Sequence, residues 1–152
     1  PKKIVVVSSA PQIRFPDCYG IDMSLFQDFI AFQAAIALIK ERGKDAILKE
    51  VYDLCKKEFE TNGGLTNVNH VKRIYDQFTD DEISKKIAEL LRPSDINAEV
   101  EIIYQTIDGL HAACPDHKGD WYFSGNYPTA GGNRVANKAY INFFEGKRER
   151  SY

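Results

Sequence analysis

Ile4-Val5-Val6-Val7, closed by Ser8-Ser9, is an unbroken β-branched run near the start of the chain. A run with no polar alternation is the pattern of a strand buried on both faces inside a parallel sheet. It sets the expected fold class as α/β. Such a strand needs partners, and the remaining sequence offers few. Val100-Glu101-Ile102-Ile103-Tyr104 is the other convincing strand, with a short aromatic candidate at Trp121-Tyr122-Phe123.

Between these strands the pattern turns helical, so the fold is expected to be helix-rich. Ser24 is placed to cap a helix whose apolar residues, among them Phe26, Phe29, Ile30 and Leu38, recur at helical spacing as far as Gly43. A second helix is expected from about Lys44 to Glu60, broken by Asn62-Gly63-Gly64, where glycine supplies positive φ without steric cost. A third carries Val68, Val71, Ile74, Tyr75 and Phe78. Thr79 with Glu82 three residues later forms a capping box ahead of Ile83, Ile87, Leu90 and Leu91, and Pro93 closes the segment. After the Val100 strand come a short helix from Thr106 to about Ala113 and a last helix from about Asn133 to Phe144. The middle helices are expected to pair in consecutive order, as antiparallel hairpins.

The 152 residues carry 20 Lys and Arg against 22 Asp and Glu, a net charge of −2. That length suffices for one domain that buries roughly two-thirds of its unfolded surface without disulfides or metal. The near-neutral balance argues against nucleic acid or an anionic membrane as partner, because such binders use a basic field to displace counterions. The basic stretch Lys147-Arg148-Glu149-Arg150 reads as a solvated tail. No apolar run reaches the ~18 residues of a membrane span. Cys18, Cys55 and Cys114 are widely spaced and odd in number, which fits a reducing compartment, so the chain is expected to be cytoplasmic. Position 1 is Pro, which suggests a piece of something larger.

Few constellations point to chemistry. His111, Cys114 and His117 form His-x-x-Cys-x-x-His, but Pro115 interrupts the helical face and no nearby residue obviously supplies a fourth ligand. The expected reading is a loop-end histidine pair with a buried cysteine, and no metal site. His70 reads as a solvated residue near a helix start. Phosphate-binding loops of the Gly-x-x-x-x-Gly-Lys-Ser/Thr and Gly-x-Gly-x-x-Gly kinds are absent. Gly131-Gly132-Asn133 reads as flexible glycine at a helix start more readily than as an anion cradle. Neither a Gly-x-Ser-x-Gly elbow nor a Ser, His, Asp triad is present.

One segment is more specific. Ala10-Pro11-Gln12-Ile13-Arg14-Phe15-Pro16-Asp17-Cys18-Tyr19-Gly20-Ile21-Asp22-Met23 resembles the stretch that follows the last core strand in the glutamine phosphoribosylpyrophosphate amidotransferases, or amidophosphoribosyltransferases. The resemblance continues through Phe29-Ile30-Ala31, resumes at Tyr104-Gln105-Thr106-Ile107-Asp108-Gly109-Leu110, and returns in Phe123-Ser124-Gly125-Asn126-Tyr127-Pro128-Thr129. It implies that residues 1–31 and 98–145 form the C-terminal part of a type I phosphoribosyltransferase-like fold. Residues 32–97 would be a helical insertion with a role in oligomer contact or bracing, and 146–152 a tail.

The resemblance implies an activity shared between domains. A glutaminase domain releases ammonia, and the phosphoribosyltransferase domain adds it to PRPP with Mg²⁺, giving 5-phosphoribosylamine and pyrophosphate in the first committed step of purine synthesis. The N-terminal catalytic cysteine and the acidic pair ahead of a Gly-Thr-rich PRPP loop are not in this chain. It is therefore expected to hold no catalytic residue and to be inactive alone, with Mg²⁺ bound elsewhere in the parent. Its partners would be the glutaminase domain, the rest of the phosphoribosyltransferase domain and further copies in a homo-oligomer. By position, the resemblance makes Phe29 and Tyr127 ammonia-channel candidates, and Tyr19 and Asp22 residues near the active site. Some family members hold an iron–sulfur cluster through cysteines; the corresponding positions here read Asp17, Gly119 and Tyr122, so no cluster is expected. Two other functions remain open: a non-catalytic interaction module, or a regulatory module that binds purine nucleotides.

Overall fold

The computed structural model describes residues 2–18, 22–117 and 119–152. Among them are two strands, β1 (Lys3–Ser8) and β2 (Glu99–Tyr104), and seven α-helices: α1 (Ile30–Glu41), α2 (Ala46–Asn62), α3 (Lys72–Tyr75), α4 (Asp80–Leu91), α5 (Ile107–Ala113), α6 (Trp121–Ser124) and α7 (Ala130–Phe144). A single 3-10 turn, Phe26–Asp28, precedes α1. The protein is helix-rich with a small parallel sheet.

β1 and β2 pair in parallel, Lys3 opposite Glu99 through Ser8 opposite Tyr104. Parallel pairing obliges the chain to cross over between them, and α1 to α4 make that crossover. Lys3 bridges Glu99 and Glu101 across the pair at 3.2 and 2.6 Å. β2 packs on α4, and Ile102 and Tyr104 turn toward the core.

The expected burial of β1 on both faces is corrected. Val5, Val6 and Val7 are 47%, 49% and 71% exposed. Among the described residues the sheet has two strands, so no third strand covers the valines. The third strand candidate, Trp121-Tyr122-Phe123, is instead the one-turn helix α6, which ends at Gly125. Its three aromatic residues have β propensity, but the 120–124 backbone closes on itself through bonds from the Phe123 and Ser124 amides to Asp120.

The core is aromatic and lies among the helices. Phe32 is buried at its centre, with ring centroids 4.7 Å from Phe26, 6.2 Å from Tyr140 and 4.8 Å from Phe143. Phe15 meets Tyr75 edge to face at 5.1 Å. Side chains from 32–97 thus share one core with those of 1–31 and 98–145. α1 packs against α4, and α2 against α7, in place of the expected consecutive hairpins. The apolar faces find partners distant in sequence, and Lys86 of α4 reinforces the α1 pairing by reaching Glu41 at 2.8 Å.

Local signals set several helix ends. The Thr79 and Glu82 capping box forms at the start of α4, with both reciprocal bonds present. Gly63 closes α2 with φ of +62°. Ser24, by contrast, is buried and caps nothing; the 3-10 turn intervenes, and Phe29 is the residue that precedes α1. The expected helix over 68–78 contracts to the single turn of α3. The tail also folds back: Arg148 pairs with Asp28 at 3.0 Å, Asn142 Nδ2 donates to the Glu149 carbonyl, and Ser151 is buried. No helix among the described residues is long and apolar enough to cross a membrane.

Candidate functional site

Two segments more than a hundred residues apart meet at the end of the sheet. The amides of Arg14 and Phe15 donate to the Tyr122 carbonyl at 2.8 and 3.1 Å. In return the Tyr122 hydroxyl donates to Asp17 Oδ1 at 3.0 Å, and the Tyr127 hydroxyl to the Pro16 carbonyl at 2.6 Å. Pro11 and Pro16 supply no amide, so the 10–18 segment cannot extend the sheet as a regular strand and is fastened by side chains instead. Gly125 lets the two segments close: its φ is +70°, and a Cβ there would lie 2.7 Å from the Phe15 ring. Tyr75 adds a bond to the Arg14 carbonyl at 2.7 Å, and Asn69 Nδ2 one to the Gly125 carbonyl at 3.1 Å.

Tyr127 is buried, and desolvation drives its phenol pKa far above the ordinary value, so it keeps its proton. Phe29 is buried as well, 6.0 Å from Phe26 edge to face. Asp22 is exposed, just before Met23, whose carbonyl accepts from the Asp17 amide at 3.3 Å. Tyr19 lies outside the described residues. Burial also raises the Cys18 thiol pKa, with the Asp17 charge adding to it. Asp17 and Tyr122, two positions where the resemblance places cluster cysteines, are joined by their own hydrogen bond. A carboxylate and a phenol supply no thiolate, so this pair does not fit an iron–sulfur cluster.

The histidines differ from their expected settings. His70 is buried rather than solvated: Nε2 lies 3.0 Å from Glu58 Oε1, and its amide donates to Asn137 Oδ1 at 3.1 Å. Asn137, fully buried on α7, also donates to the Val68 carbonyl at 3.0 Å, while Asn133 one turn earlier reaches Thr66 at 3.1 Å. This pair of asparagines fixes the 66–70 loop against α7. Sequence reading missed it, and only the spacing of two polar residues on an apolar helix face hinted at it.

His111 and His117 do come together, stacked with centroids 4.2 Å apart. Cys114 is exposed rather than buried, and contributes only its carbonyl, which accepts from His117 Nδ1 at 3.0 Å. The third member of the cluster is Asp120, unforeseen from sequence, whose Oδ2 lies 3.0 Å from His111 Nε2. Gly131 and Gly132 fall inside the first turn of α7, where the Gly132 amide already meets Thr129 Oγ1 at 3.2 Å, so the helix start is capped from within.

A cleft of about 880 Å³ runs between α4 and β2. Arg14, Asp80 and Gln12 line it, but they are engaged with one another: Arg14 reaches Asp80 and Gln12 at 2.6 Å each. Neither Phe29 nor Tyr127 borders this cleft. Compared with protein-family models, curated proteins and solved structures, the chain matches none.

Proposed function

We propose that this chain is the C-terminal segment of an amidophosphoribosyltransferase, the cytoplasmic enzyme that makes 5-phosphoribosylamine from PRPP and glutamine. The observation that supports the reading is the contact between residues 10–18 and 121–129. Residues 10–18 and 123–129 lie in stretches that carry the sequence resemblance, and four direct hydrogen bonds join the first of them to Tyr122 and Tyr127. Two positions that share a cofactor in some relatives, Asp17 and Tyr122, are in direct contact here.

The exposed valines of β1 agree with this reading. A parallel strand with apolar side chains on both faces is stable when covered, and the rest of a phosphoribosyltransferase domain would cover it. Phe29 and Tyr127 then serve as apolar lining for ammonia transfer, which requires that water be kept away from the neutral amine. Asp22, being exposed, is free to face the PRPP site. PRPP and Mg²⁺ are held by the parent's own loop, since an acidic pair ahead of a Gly-Thr-rich turn is missing from this sequence. The glutaminase domain and further copies of the parent are its partners.

The test is PRPP- and glutamine-dependent release of pyrophosphate by the full parent, with the 152-residue chain assayed alongside. Activity in the parent and none in this chain is expected. An inactive parent with an intact fold overturns the reading in favour of an interaction module.

A further inference from the structure

We infer that His111, His117 and Asp120 form a binding site for a zinc-class divalent cation. One ligand atom from each lies within 4.8 Å of the other two. His111 stands on α5, His117 in the loop that follows, and Asp120 just ahead of α6, so a cation here would tie the two helices together.

The hydrogen-bond geometry favours metal. A backbone carbonyl only accepts, so the Nδ1 of His117 that meets the Cys114 carbonyl must carry the proton. In the neutral ring the lone pair is then on Nε2, which makes no hydrogen bond among the described residues. An imidazole oriented by Nδ1–H to a carbonyl is the usual outer support of a metal-ligating histidine. Asp120 is supported in the same way, because its Oδ1 accepts from Ser124 Oγ at 2.8 Å and leaves Oδ2 toward His111.

Distances are compatible. His111 Nε2 and Asp120 Oδ2 are 3.0 Å apart, whereas two ligands of a tetrahedral zinc ion with bonds of about 2.0–2.1 Å stand roughly 3.3 Å apart. A cation can therefore stand between the two atoms, with the His111 proton carried on Nδ1 instead of Nε2. His117 must approach by up to about 1.5 Å and tilt out of its stack on His111 so that Nε2 points at the ion, which its exposed position allows. Two imidazoles and one carboxylate suit Zn²⁺ among available metals, and water takes the fourth position. Cys114 is not a ligand, despite its spacing midway between the histidines.

Titration of the chelator-treated chain with Zn²⁺ by calorimetry, and with Co²⁺ by visible absorption, tests the site. One equivalent should bind, with the absorption of a four-coordinate Co²⁺ ion. His117→Ala and Asp120→Asn should each weaken binding at least about tenfold, while Cys114→Ser binds as the parent chain does. Thermal melts of the metal-free variants establish that they are folded. The inference is overturned by the absence of saturable binding, by binding that survives both His117→Ala and Asp120→Asn, or by binding lost in Cys114→Ser.

Discussion

Replacing Asn137 with Ala tests how the 66–70 loop is held. Its side chain is fully buried on α7, where Nδ2 donates to the Val68 carbonyl at 3.0 Å and Oδ1 accepts from the His70 amide at 3.1 Å. The Cys55 thiol approaches the same oxygen at 3.5 Å. In Asn137→Ala the His70 amide is left buried without a partner, which costs about 1–3 kcal/mol. Loss of the partly buried bond to Val68 adds about 0.5–1.5 kcal/mol, and the small void adds up to about 1 kcal/mol. The expected destabilisation is about 3 kcal/mol, a large share of the stability of an ordinary domain. At this size it lowers the thermal midpoint by roughly 6–12 °C. Urea unfolding followed by circular dichroism measures it, with the slope unchanged if only the folded state is affected. Asn133→Ala, which removes one bond to Thr66, should cost about 1 kcal/mol. A loss below about 1 kcal/mol in Asn137→Ala, equal to that of Asn133→Ala, would refute the assignment of Asn137 as the anchor.

Acid stability should depend on Glu145. Its carboxylate accepts from Lys147 at 2.6 Å and Tyr52 at 2.8 Å, and these bonds hold its pKa down to about 2 from an ordinary 4.5. A pKa lowered in the folded state means a contribution fully present above about pH 4.5 and lost as pH falls toward about 2. The difference in midpoint between the parent chain and Glu145→Gln should be largest near neutrality, shrink across that window and weaken with salt; a pH-independent difference contradicts the assignment. The cysteines should label in order. Cys114 is exposed and reacts first, half-buried Cys18 follows, and buried Cys55, whose thiol desolvation pushes up to about 12, reacts on unfolding. Loss of the fast phase in Cys114→Ser checks the order, and native-state labelling of Cys55 as fast as Cys114 contradicts it.

Much of the local structure was legible because its causes are local. The Thr79 and Glu82 capping box, the glycine stop after α2 and the helical period of Ile83 and Ile87 each act within a few residues. Both strands were legible from β-branched runs, but their burial was not. The same valines suit a covered strand or an exposed one, and only the count of neighbouring strands decides which.

The site was less legible, for the same reason. His111 and His117 were visible as a pair, yet the sequence pattern pointed to Cys114 as their companion, where the folded loop brings Asp120. His70 had the look of a surface residue until α2 and α7 closed over it. The bonds joining Asp17 to Tyr122 and Pro16 to Tyr127 span more than a hundred residues, and no periodicity records such a distance. By itself, then, the sequence determined the α/β, helix-rich class, the principal helices and the places where several of them stop, since caps, turns and period act through neighbouring residues. The tertiary structure decided which helix faces pair, which polar groups are buried together and which side chains converge after α5, because these depend on the packing of elements far apart in the chain.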